Sequence, residues 1–182
     1  MSCREENDFA GAVIDSLKFA AGADCIAGRV ALSRLPRLAD LLVESSGWLD
    51  CEVRGFTFDG LHAGQPGLQL SVRGVLKMRC QRCLAEVDVA CDVDRRLLLI
   101  AAGAAAEAWP EDELESDDFD AIPASRELSL LSLVEDEVLL ALPIVPRHAD
   151  CVLPGAVAAG AATVDQESRP SPFAALAGLK KH

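Results

Sequence analysis

The stretch "MRCQRCLAEV", Met78 to Val87, places two cysteines, Cys80 and Cys83, three positions apart. Such a pair is a redox dithiol, half of a metal site, or two small apolar side chains in a turn. Redox chemistry asks for a helix N-terminus beside the thiol, to depress its pKa. The residues after Cys83 alternate polar and apolar like a strand, and those before Cys80 do the same. The pair therefore falls at the tip of a hairpin, where two thiolates on a tight turn can face one ion. Tetrahedral zinc needs two more ligands. The sequence "RHADC" supplies His148 and Cys151, again three apart. Cys80, Cys83, His148 and Cys151 are thus a candidate Cys3His zinc site. The competing reading has Cys80 packed inward and Cys83 incidental. Cys25, Cys51 and Cys91 fall on apolar phases and read as core. Cys3 is terminal, and His62, in a Gly-flanked loop, reads as exposed.

A second group has the type and spacing for phosphate contact. Arg73, Lys77 and Arg79 occupy odd positions of one strand, and Arg82 extends the row to the hairpin tip. One reading is an ordinary solvated face, paired with Glu86 and Asp88 across the hairpin. The other is a basic stripe for structured RNA, with salt-dependent affinity. No aromatic RNA-binding motif accompanies it, so base stacking on the sheet is not implied.

The elements that position these groups are readable from period. In "WLDCEVRGFTF" apolar residues alternate and the phase flips at Gly55, which predicts a bulge or bend. Apolar residues hold even positions through "LQLSVRGVLKMRC" and odd positions through "AEVDVACDVDRRLLLI". Period two over three runs predicts an antiparallel sheet over 48–100 with one wet face. A short N-terminal helix is expected after Pro36, with Leu38, Leu41 and Leu42 on one face and Gly47 as its stop. The main helix is expected over 129–142. Ser129 would cap it, Leu130, Val134, Val138 and Ala141 would share its buried face, and Pro143 would end it. Glu135, Asp136 and Glu137 are expected on its solvent side.

These elements make an α+β fold: an antiparallel sheet packed by one main helix and a short N-terminal helix. Residues 1–25 read as an N-terminal arm and 26–150 as a single domain. Within that domain, 101–127 reads as a disordered linker, with seven acidic residues among positions 111–120. Residues 151–182 read as a flexible tail. Phe173, Leu176 and Leu179 lie at helical spacing within it, as a short partner-docking segment.

The chain has 182 residues and a formal net charge of −12, from 29 acidic and 17 basic residues. That charge excludes bulk attraction to nucleic acid or anionic lipid and requires any phosphate contact to be local. Neither a signal peptide nor a long apolar run is visible, which makes cytoplasm the expectation, and reduced thiols with it.

Three blocks together carry a family likeness: "LKMRCQRCL", "LSLLSLVEDEVLLALPIVPRHADC" and the closing "PSPFAALAGLKK". Over about residues 30–182 the chain resembles the bacterial YceD family, the large ribosomal RNA subunit accumulation proteins. The resemblance implies a role in synthesis, processing or stability of 23S rRNA and in large-subunit assembly, and implies no catalytic activity. The family's recurring cysteines and His-x-x-Cys region map onto Cys80, Cys83, His148 and Cys151. Two modes of action fit: contact with 23S rRNA through the stripe, or chaperoning of a basic large-subunit ribosomal protein through the acidic run. The rivals from other classes are a thiol oxidoreductase using Cys80 and Cys83, and a zinc-dependent regulator. The latter lacks a basic recognition helix.

Overall fold

The computed structural model describes residues 3–5, 8–101 and 119–151. Its frame is built by the alternating runs. β4 (Trp48–Thr57), β5 (Pro66–Arg79) and β6 (Glu86–Ile100) pair antiparallel. Leu49 and Val53 of β4, Leu70, Val72 and Leu76 of β5, and Val93 and Leu97 of β6 are buried on one face. The opposite face carries charged partners of the alternation such as Asp50, Arg73 and Asp92.

Three more strands extend this frame. β3 (Cys25–Ala31) pairs antiparallel with β4. β1 (Arg4–Glu5) runs parallel to β3, and β7 (Asp120–Pro123) runs parallel to β6. Among the described residues the strand order is β1-β3-β4-β5-β6-β7. The antiparallel sheet expected from the sequence is the interior of a mixed sheet with a parallel pair at each edge. A separate ribbon joins β2 (Val13–Ile14) to β8 (Leu128–Ser129).

The helical layer covers the apolar face. α1 (Ser16–Ala21) is capped by Asp15, whose carboxylate accepts the Lys18 N–H. α2 (Pro36–Ala39) is a single turn. α3 (Leu130–Ala141) is capped by Ser129, whose hydroxyl accepts the Ser132 N–H. Leu130, Val134 and Val138 are buried as expected, whereas Ala141 is exposed.

The structure corrects several expectations. Glu135 and Glu137 do not face solvent; each is 5% exposed. Glu135 accepts the backbone N–H groups of Arg37 and Leu38 and the Arg37 Nε–H, so it caps α2 from across the helical layer. The N-terminal helix is shorter than expected, stopping at Ala39, and Leu41 is exposed. β4 has no bulge at Gly55. The ladder runs through it, Gly55 to Leu68 and Phe56 to Gly67, and α1 crosses above. A Cβ on Gly55 would stand 2.3 Å from the Phe19 carbonyl oxygen. The phase flips because a glycine replaces the core side chain where the helix backbone needs the room.

Residues 9–20, expected in an arm, give Phe9, Ile14, Phe19 and Ala20 to the core. Within the expected linker, Asp120–Pro123 form β7, and Phe119 packs with Phe58, Leu98, Ile100 and Ala121 in a second apolar cluster on the far face. His62 is not simply exposed, since its ring lies 4.8 Å from that of Phe119. Cys25 is not a free core thiol. β1 beside β3 brings Cys3 to it, Cα to Cα 4.6 Å, and the two form a disulfide, against the expectation of reduced thiols. The acidic run up to residue 118 and the segment with Phe173, Leu176 and Leu179 lie outside the described residues.

Candidate metal centre

The tip of the β5–β6 hairpin is a knuckle. The Cys80 N–H donates to the Ala85 carbonyl at 2.8 Å, and the Leu84 N–H donates back to the Cys80 carbonyl at 3.0 Å. Leu84 closes the turn in the left-handed region, φ 64°. α3 ends before Pro143, and the chain returns through Pro146 to this tip. There the Pro146 carbonyl accepts the Gln81 N–H at 2.9 Å. Two prolines keep the return from continuing the helix, and they deliver His148 and Cys151 opposite the two knuckle cysteines.

The donor atoms of Cys80, Cys83, His148 and Cys151 all lie within 4.8 Å of one another. Cys80 Sγ and Cys151 Sγ are 3.6 Å apart, and Cys83 Sγ and His148 Nδ1 are 3.4 Å apart. Zinc with Zn–S of about 2.3 Å and Zn–N of about 2.0 Å in tetrahedral geometry requires roughly 3.8 Å and 3.5 Å for such pairs. The residues therefore fit one ion of that size. His148 Nε2 lies 2.8 Å from the Glu86 carbonyl. A carbonyl only accepts, so Nε2 carries the proton and Nδ1 turns its lone pair toward the sulfurs. This is the outer contact that fixes a ligating imidazole.

The electrostatics describe sulfurs crowded for a cation. Burial works against the Cys80 thiolate, yet backbone N–H groups of Cys83, Arg82 and His148 outweigh it and bring its pKa down to about 5. Arg82 lowers Cys151 against its own burial. The Ala85 N–H favours the Cys83 thiolate, but burial and the neighbouring Cys80 and Cys151 sulfurs prevail and raise its pKa. Those same two sulfurs raise His148. Cys80 and Cys151 are thus shifted toward the thiolate, whereas Cys83 is shifted away from it. The core thiols differ. Burial pushes Cys51 up to about 12 and Cys91 up to about 11, which leaves both protonated and inert.

The basic row is placed differently from the four candidate ligands. Arg73, Lys77 and Arg79 project from the outer face, and the register sets Asp92, Asp88 and Glu86 opposite them. Arg73 Nε is 3.3 Å from Asp92, both side chains well exposed. Lys77 lies 3.0 Å from Glu86 and 3.5 Å from Glu44. Arg79 donates to the Leu84 carbonyl. Arg82 leaves the row and turns into the knuckle, its Nε 2.9 Å from Cys151 Sγ. Sequence reasoning missed this role and the Glu135 cap. The signal for the first was an arginine lying between the two cysteines.

The family model described as large ribosomal RNA subunit accumulation protein YceD matches residues 68–180. The chain belongs to the YceD family. The matched span opens on β5 and takes in all four candidate ligands together with α3. No solved structure matches the chain. Membership of the YceD family links the chain to accumulation of large-subunit ribosomal RNA. No helix among the described residues is long and apolar enough to cross a membrane.

Proposed function

We propose that this YceD-family chain is a non-enzymatic ribosome-biogenesis factor of the cytoplasm. It supports synthesis, processing or stability of 23S rRNA, and it does so as a scaffold stapled by zinc at Cys80, Cys83, His148 and Cys151. The observation that carries the reading is the Cys3His cluster lying wholly inside the span matched by the rRNA-accumulation family.

Three thiolates and an imidazole suit zinc better than hard cations, which prefer oxygen. Four protein ligands fill a tetrahedral shell and leave no position for water or substrate, the arrangement of a structural site. Zinc, when bound, supplies the charge that holds three thiolates together and ties residues 148–151 to the hairpin tip. The thiol-oxidoreductase reading finds less support. Cys80 is fully buried, and Cys83 is followed by β6 rather than by a helix N-terminus.

For the partner, the face of Arg73, Lys77 and Arg79 would engage 23S rRNA by exchanging cross-strand carboxylates for phosphates. The net charge of −12 favours the second mode, in which the acidic run at 111–120 receives a basic large-subunit ribosomal protein. Crosslinking the chain in cells separates these: recovery of 23S precursor RNA supports the first mode, and recovery of a basic ribosomal protein supports the second. The scaffold reading is tested in cells dependent on this chain. Cys83→Ser should lower 23S rRNA relative to 16S rRNA, and an unchanged ratio would argue that the cluster is dispensable.

A further inference from the structure

The guanidinium of Arg82 reaches from the first half of the candidate metal centre into the second. Its Nε–H meets Cys151 Sγ at 2.9 Å, and its Nη2 meets the carbonyls of His148 and Ala149, each at 3.4 Å. One planar fork thus holds both the sulfur of the last ligand and the backbone beside the imidazole ligand. We infer that Arg82 is a positioning residue of this centre: it aims Cys151 at the ion and compensates one thiolate. The inference rests on the zinc reading above and adds to it a residue that ligates nothing.

Charge and geometry both support the assignment. Three thiolates and one divalent ion leave a net charge of about −1, and a guanidinium at hydrogen-bonding distance brings the assembly to neutrality without occupying a coordination position. Arginine suits the task because its donors sit in a rigid fork that serves a sulfur and carbonyl oxygens together. A lysine in its place offers a point charge but no fork. Arg82 is half-buried, so its contact with Cys151 is less screened than the outward pairs of the same hairpin. Its place between Cys80 and Cys83 follows from the knuckle: the turn that aims two thiols at the ion also sends the intervening side chain across to the returning segment.

The test uses the full-length reduced protein. Zinc affinity is measured by competition with a chromophoric chelator for wild type, Arg82→Ala, Arg82→Gln and Arg82→Lys. Partners of ligands at this distance are worth about 10–100-fold in metal affinity. Arg82→Ala and Arg82→Gln should each lose that factor, and Arg82→Lys should recover part of it through charge alone. Two further readings separate positioning from general folding. The metal-free melting temperatures of wild type and Arg82→Gln should agree. In the zinc-loaded proteins, alkylation of Cys151 should accelerate in Arg82→Gln more than alkylation of Cys83. Equal zinc affinity and equal Cys151 alkylation across the series would overturn the role of Arg82 while leaving the metal site standing. A wild-type protein that binds no zinc in the same competition would overturn the site itself.

Discussion

Glu135 and Glu137 lie two positions apart on α3 and are equally buried, yet their surroundings differ. Glu135 meets two backbone N–H groups and the Arg37 guanidinium. Glu137 has one carboxylate oxygen, Oε2, without a hydrogen-bond partner among the described residues. Burial raises its pKa first, Asp120 and Asp136 add to the rise, and Arg95 offsets it only in part. The native state therefore binds the Glu137 proton more tightly than the unfolded chain does. The stability this contributes is fully present below the ordinary value of 4.5 and is lost as pH rises through the raised native value. Above that value a buried carboxylate opposes folding. Glu137→Gln keeps the shape and removes the charge, so it should stabilise the protein, and more so at about pH 8 than at about pH 5. Urea unfolding of both proteins at the two pH values reads the difference. A gain that does not grow with pH would show that Glu137 is neutralised by a partner in the fold. Neither environment was visible in the sequence. Three consecutive acids on a helix read as a wet face, and only the packing of α2 and β6 against α3 makes two of them interior.

Among the elements, β4 to β6 and α3 were legible because long runs repeat their period. Cys51 and Val53, or Val87 and Cys91, announce their face by alternation alone. The shorter elements had no such signal. β1 and β2 have two residues each, β3 is interrupted by Gly28, and β7 follows an acidic run that reads as solvated. Their positions come from pairing with strands already in place, which is tertiary information. Gly55 shows how a local signal misleads. Its broken alternation resembled a bulge, but the residue is where α1 crosses β4. The test is Gly55→Ala, whose methyl would meet the Phe19 carbonyl oxygen at 2.3 Å and Ala20 Cα at 2.8 Å. Both obstacles are backbone, so the helix must move. The expected loss is about 1–3 kcal/mol, the usual cost of forcing a methyl into a packed site. Denaturant midpoints give the comparison, and an unchanged midpoint would mean that α1 rides freely over the strand. The ligands were legible for a similar reason: two three-residue spacings sit at the ends of two readable elements. That the ends meet, and that Arg82 joins them, depends on the course of the chain after Pro143.

At the scale of the whole molecule, the described surface pairs its charges. Arg29 with Asp50, Arg54 with Glu52, Arg73 with Asp92 and Lys77 with Glu86 are neighbours on the sheet. RNA contact through Arg73, Lys77 and Arg79 must break such pairs, so it would be weak and steeply dependent on salt. The triple change Arg73→Glu, Lys77→Glu, Arg79→Glu should leave the melting temperature nearly unchanged, because exposed pairs contribute little. If the face binds a 23S rRNA fragment, the log–log salt slope should shrink by about 0.7–0.9 for each phosphate contact removed. Equal binding by both proteins would remove this face from consideration and favour the acidic run at 111–120 as the working surface. The candidate metal centre bears on the molecule differently. An ion there would fix the segment after α3 to the tip of the β5–β6 hairpin, adding to the Gln81–Pro146, His148–Glu86 and Arg82 hydrogen bonds. Ligand bonds of a structural zinc contribute directly to folding, so the most direct test is elemental analysis of the purified reduced protein, prepared without chelators. Wild type should carry about one zinc per chain, and Cys83→Ser and His148→Ala should carry little and melt at lower temperature. Wild-type protein free of metal, with melting unaffected by either substitution, would contradict the account.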